Sequence, residues 1–108
     1  IGIECGDVEV LNEKEGVAKI TETVKRVISK RIAIILASSN VELYQKITSL
    51  MNIVAHRIIE GEISILFTVE SKGLEFDTVF VFPEEMSVNE QYIAFTRALT
   101  KLYVIHSS

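Results

Sequence analysis

Residues Thr68 to Phe82 read T-V-E-S-K-G-L-E-F-D-T-V-F-V-F, a polar turn running straight into an apolar strand. Lys72, Gly73 and Glu75 form the turn. Gly73 can take a positive φ or let a ligand approach its backbone closely, Lys72 supplies a mobile cation and Glu75 an acceptor, so the parts of an anion or nucleotide contact are present. The same residues also make an ordinary turn before a strand, and taken alone they do not separate the two readings. Asp77 leads into Thr78–Phe82, a β-branched and aromatic run stopped by Pro83 that predicts a strand buried on both faces.

Tyr92 to Ser107, Y-I-A-F-T-R-A-L-T-K-L-Y-V-I-H-S, follows at short range. Together the two stretches resemble motifs V and VI of the UvrD-like superfamily 1 DNA helicases, where K-G-L-E-F-D precedes a strand and a Y-x-x-x-T-R-A helix leads into the last strand. Order and local context both match, which makes the pair far more specific than either member. The resemblance implies part of the second RecA-like motor domain of such an enzyme. It is clear in the last part of the chain, and the earlier part is compatible with it.

With 108 residues the chain has room for one domain and a modest core. The whole span 1–108 is expected to be a single C-terminal RecA-like helicase subdomain, and the opening on Ile1 without a methionine suggests a piece of a longer protein. Apolar residues make up 48% of the chain, yet the longest unbroken apolar run is Ile32–Ala37. That is far too short to span a bilayer and suits a central parallel strand. The lone Cys5 cannot form an internal disulfide, so a cytoplasmic setting is expected. The net charge of −4 gives no overall attraction for nucleic acid, so any such contact must be local. His56 and His106 each lie in an apolar run and read as strand residues rather than metal ligands.

From the N-terminus, a Gly6-Asp7 turn precedes a short strand at Val8–Leu11, and Asn12 with Glu15 forms a capping box opening a helix. Val17, Ile20, Val24, Val27 and Ile28 give that helix a buried stripe, and Lys25, Arg26, Lys30 and Arg31 complement its dipole at the far end. Ile32–Ala37 is a buried strand. Ser39 and Glu42 form a second capping box for a helix over about Val41–Met51, with Leu43, Ile47, Leu50 and Met51 facing the core. Ile53–Ile59 reads as a strand, Glu60-Gly61-Glu62 as a turn, and Ile63–Val69 as the strand that feeds the Lys72 turn. Ser87 and Glu90 make a third capping box, starting a helix to about Thr100 that is anchored by Tyr92, Phe95 and Leu99. Leu74 and Phe76 are expected in the core. Ala94 and Ala98 flank Arg97 and would allow close approach of a neighbouring domain or ligand. Leu102–His106 closes the chain as a strand. The order predicts an α/β fold, a mainly parallel sheet flanked by helices; the resemblance identifies it as RecA-like (P-loop NTPase-type).

The resemblance assigns roles residue by residue. Arg97 matches the motif VI arginine, which in the family acts as an arginine finger on the nucleotide phosphates. Permanent charge and a fork that fits phosphate oxygens suit that work. Glu75 matches the motif V glutamate that accepts a hydrogen bond from the ribose, and Lys72 and Gly73 match the turn beside nucleotide and nucleic acid. Three positions depart from the pattern. Ser38 stands where motif IV commonly carries an arginine, and Phe67 and Val69 stand where a threonine and a histidine hold single-stranded DNA. The sequence has no G-x-x-x-x-G-K-[ST] loop and no acidic pair after a strand. ATP and Mg²⁺ are therefore expected to be held mainly by an N-terminal RecA-like domain of the same parent chain, and the 108 residues alone to be inactive. The function implied is the C-terminal motor subdomain of an ATP-dependent helicase or translocase acting on single-stranded or duplex DNA. Two alternatives stand beside it: a non-catalytic helicase-like interaction module, and an ATP-driven factor that remodels a nucleoprotein complex such as RNA polymerase on DNA.

Overall fold

The computed structural model describes residues 7–26, 31–54 and 63–106. Strands and helices alternate: β1 (Asp7–Asn12), α1 (Glu13–Arg26), β2 (Ile32–Leu36), α2 (Val41–Val54), β3 (Ile63–Phe67), α3 (Thr68–Ser71), β4 (Phe76–Phe82), α4 (Val88–Phe95) and β5 (Ala98–His106). Such alternation calls for crossovers, because consecutive parallel strands cannot be joined by a hairpin. The five strands form one sheet in the order β1-β5-β4-β2-β3, and each neighbouring pair is parallel. The α/β architecture expected from the sequence is the one observed.

Five consecutive residues of β2 are fully buried, as a central strand covered on both sides requires. Alternation then sorts the side chains into two layers. On one face Ala33, Ile35, Val79, Val81, Leu102 and Val104 pack with Ala94 of α4 and with Met86. On the other, Ile32, Ile34, Leu36, Phe80 and Ile105 pack with Ile20 of α1 and Ile47 of α2. There the Phe80 and Tyr103 rings stack at 4.7 Å. Gly16 brings α1 close to β5: an added Cβ would lie 2.5–2.8 Å from three side-chain atoms of buried Ile105.

Two capping boxes form as the sequence predicts. The Asn12 side chain accepts from the Glu15 N–H at 2.8 Å while Glu15 accepts from the Asn12 N–H at 3.1 Å. Ser87 and Glu90 reciprocate in the same way at 3.1 and 3.3 Å. At α2 the cap is Asn40 rather than Ser39, its Oδ1 accepting from the Leu43 N–H at 3.3 Å. Both are suitable cap residues, and the turn that returns the Asn40 N–H to the Ala37 carbonyl starts the helix one residue later.

Several element boundaries differ from expectation. Helix α2 continues to Val54, through the start of the strand expected at Ile53–Ile59; the rest of that strand, His56 and the Glu60-Gly61-Glu62 turn lie outside the described residues. Val27, Ile28 and Lys30 also lie outside them. Strand β3 ends at Phe67 rather than Val69, because Phe67 already pairs with the last residue of β2. The chain then coils into α3, where the Glu70 carboxylate accepts from the Phe67 N–H at 2.9 Å. Helix α4 ends at Phe95, and β5 begins at Ala98 instead of Leu102. The Phe76 N–H donates to the Arg97 carbonyl at 2.9 Å and draws the chain into the sheet there.

Candidate functional site

In a parallel sheet every strand starts at the same edge, so the residues that precede β2, β4 and β5 meet along one rim. Arg31, the Lys72–Glu75 turn and Arg97 occupy this rim. At its centre Ser71 to Leu74 form a type II turn: Lys72 has φ −59 and ψ 130, Gly73 has φ 80, and the Leu74 N–H donates to the Ser71 carbonyl at 3.1 Å. The third residue of such a turn needs positive φ, which explains a glycine at 73. Buried hydroxyls hold the preceding helix in place. Thr68 donates to the Leu36 carbonyl at 3.0 Å and Ser71 to the Thr68 carbonyl at 2.7 Å. Lys72 and Glu75 project into solvent and bond no other described residue.

Arg97 lies half-buried where α4 gives way to β5. Its Nε donates to the Ile93 carbonyl at 3.0 Å, Nη1 to the Leu74 carbonyl at 3.2 Å and Nη2 to Thr96 Oγ1 at 3.1 Å. These partners are main-chain and hydroxyl oxygens rather than a carboxylate. A guanidinium has five N–H groups. Three are used here, and one on each terminal nitrogen has no described partner. The Nη1 bond ties Arg97 directly to the turn before β4, so the structure brings Leu74 and Arg97 together, with Lys72, Gly73 and Glu75 on the same turn.

Asp77 completes the rim. Its carboxylate accepts from the Arg31 N–H at 3.1 Å, and the Asp77 and Thr78 N–H groups donate to the Arg31 carbonyl at 3.0 and 3.2 Å. The Arg31 guanidinium lies 4.8 Å from the centre of the buried Phe76 ring. On the neighbouring strand Lys101 bonds Asp7 at 2.8 Å and Glu9 at 3.3 Å. The hydrogen bond to Asp7 raises its pKa above the ordinary lysine value, burial works against this, and the bond to Glu9 adds to it.

The opposite rim has another character. Ligands of open α/β sheets commonly bind beyond the carboxyl ends of the strands. Here a cleft of about 360 Å³ at that end is lined by Glu13, Glu42, Glu84 and Glu85 against a single Lys46, a poor setting for phosphate. Ser38 lies at this end too, its N–H donating to Glu90 at 3.5 Å. In the loop beyond β4, Glu85 takes a positive φ of 67, which is strained for a side chain of this kind. Among the described residues no three His, Cys, Asp or Glu side chains come together to hold a metal ion, and no helix is long and apolar enough to cross a membrane.

Some expectations are corrected. Leu74 is 39% exposed and reaches the site through its carbonyl, whereas Phe76 is buried as expected. Tyr92 and Leu99 are half exposed and do not anchor α4; Leu99 belongs to β5, and Phe95 packs against the core. Ala94 and Ala98 are buried in that core, which removes them as a surface for a neighbouring domain. Phe67 stacks on Tyr44 at 4.5 Å, and Val69 is exposed on α3. The sequence reading missed Thr96 and the Leu74 carbonyl as partners of Arg97. For Thr96 the available signal was its place in the Y-x-x-x-T-R-A stretch beside Arg97; a carbonyl has none.

No protein-family model matches the chain, and no curated protein matches it by sequence. Among solved structures it is similar to the C-terminal domain of a possible DNA helicase from Lactobacillus plantarum WCFS1, with a TM-score of 0.61 and 22% identity over 94% of this chain and 73% of that one. The likeness is one of fold: the parallel-sheet α/β architecture is shared with that domain.

Proposed function

We propose that this chain is the second motor subdomain of an ATP-dependent superfamily 1 helicase or translocase of the UvrD-like type. Arg97 serves as the arginine finger, and Glu75 contacts the ribose. The observation that carries the reading is the fixed guanidinium of Arg97 beside the Lys72–Leu74 turn, with one N–H left on each terminal nitrogen. Phosphoryl transfer is accelerated mainly by cations already placed against charge that spreads over the phosphoryl oxygens. An arginine held at a domain rim meets that need when a second domain closes on the nucleotide.

The other wall of the cleft belongs to an N-terminal RecA-like domain of the parent chain, which would supply the phosphate loop and the Mg²⁺ ligands. ATP bound between the walls draws Arg97 in, and hydrolysis releases it, so that the cycle steps the protein along DNA. Phe67 and Val69, in place of the residues that hold single-stranded DNA, favour a second reading: closure of the same motor remodels a nucleoprotein complex instead of unwinding duplex.

Nucleic-acid-stimulated ATPase activity of the full-length parent tests both. Arg97→Ala should lower kcat on the order of 10³-fold while nucleotide binding is largely kept. Equal rates in the two proteins would remove Arg97 from the chemistry. A parent that hydrolyses ATP but does not separate strands would favour remodelling.

A further inference from the structure

We infer that Thr96 is a positioning residue for Arg97, an inference that rests on the reading of Arg97 as a phosphate contact. The Thr96 hydroxyl lies 2.9 Å from the Tyr92 carbonyl and 3.0 Å from the Ile93 carbonyl. Both can only accept, so the single hydroxyl proton points back into the last turn of α4. The oxygen that faces Arg97 Nη2 at 3.1 Å is thereby fixed as an acceptor.

Ile93 and Leu74 supply the other two acceptors, on Nε and Nη1. Three oxygens, from the last turn of the helix, its cap and the turn before β4, hold the plane of the guanidinium. Without Thr96, Nη2 has no acceptor among the described residues, and the fork can rotate about the remaining two bonds. A guanidinium already held needs little reorganisation when charge develops on the phosphate, so the benefit falls in the transition state rather than in ground-state binding. Valine at 96 would keep the branched shape and lose both the donor and the acceptor. Serine would keep them and lose a methyl group.

The test uses the full-length parent and its nucleic-acid-stimulated ATPase activity, with thermal melts of each variant alongside. Thr96→Val should lower kcat on the order of 10-fold, the loss expected for one hydrogen bond to a charged group, with KM for ATP unchanged. Thr96→Ser should keep most of the rate. In the Arg97→Ala background Thr96→Val should have no further effect, because the two residues act as a unit. If valine unfolds the protein, Thr96→Ala takes its place with the same expectations. Wild-type kcat for Thr96→Val beside a strongly impaired Arg97→Ala would overturn the positioning role and leave the role of Arg97 intact. A further fall in the Arg97→Ala background would overturn it as well, by tracing the effect to general structure. A wild-type rate for Arg97→Ala would instead remove the reading on which the inference rests.

Discussion

Replacing Gly73 with alanine isolates one energetic cost. An added Cβ would meet no heavy atom within 4 Å, and the residue has φ 80. Collision therefore drops out, leaving the penalty for holding an L residue in a left-handed conformation, about 1–2 kcal/mol. Against it, alanine narrows the unfolded ensemble and returns about 0.4–1 kcal/mol. The difference is a net loss of about 1 kcal/mol, which in a domain of this size lowers Tm by roughly 4–8 °C. Thermal melts followed by circular dichroism on wild type, Gly73→Ala and Gly73→Asn check the size and the order. Asparagine enters the left-handed region more readily and should lose less. A Gly73→Ala protein that melts at or above the wild-type temperature would refute the type II turn, because alanine at an unstrained position stabilises.

Gly16 has the opposite constraint: space is lacking beside buried Ile105. Gly16→Ala should lower stability by about 1 kcal/mol, overpacking of about 1–3 kcal/mol outweighing a helix-propensity gain of about 1 kcal/mol. In an Ile105→Ala background the same substitution should stabilise, and urea titrations of the four proteins read that reversal of sign. Lys101 gives a pH dependence. Its pKa is raised in the folded state, so its contribution is complete below the ordinary value of 10.5 and is lost as pH rises through the folded value. The Tm difference between wild type and Lys101→Met should therefore stay level up to that pH and narrow above it.

What the sequence disclosed was local in origin. The Asn12/Glu15 and Ser87/Glu90 boxes each depend on side chains three residues apart, and β2 announces its burial through an unbroken apolar run. The end of β3 was not legible, because it is set by the length of β2 across the sheet. The end of α4 was not legible either: helical spacing continues through Leu99, while the Phe76 N–H captures the Arg97 carbonyl and turns the chain into a strand. Apolar spacing identified Tyr92 and Leu99 as core residues because periodicity cannot tell which part of a face a sheet will cover. At the candidate site, the resemblance to the helicase motifs singled out Lys72, Gly73, Glu75 and Arg97, and the structure places them along one rim. Their linkage was not, since two of the three acceptors around Arg97 are main-chain carbonyls.

The ladder between β1 and β5 has a consequence for how the chain is made. Asp7 pairs with Lys101 and Asn12 with His106, so among the described residues β1 finds its place only against β5, the last described strand. During synthesis β1 precedes every other described element and must wait for the last of them, β5, before this partner exists. Closing so long a loop adds little to the equilibrium cost, about 0.6 kcal/mol for each doubling of length. It weighs on folding speed instead, which falls as contacts become more distant in sequence. During that wait Val8 and Val10, still 42% and 63% exposed in the finished fold, belong to a strand with neither edge paired. The sheet can assemble from β2, β3, β4 and β5 first, and β1 then docks at its edge against β5.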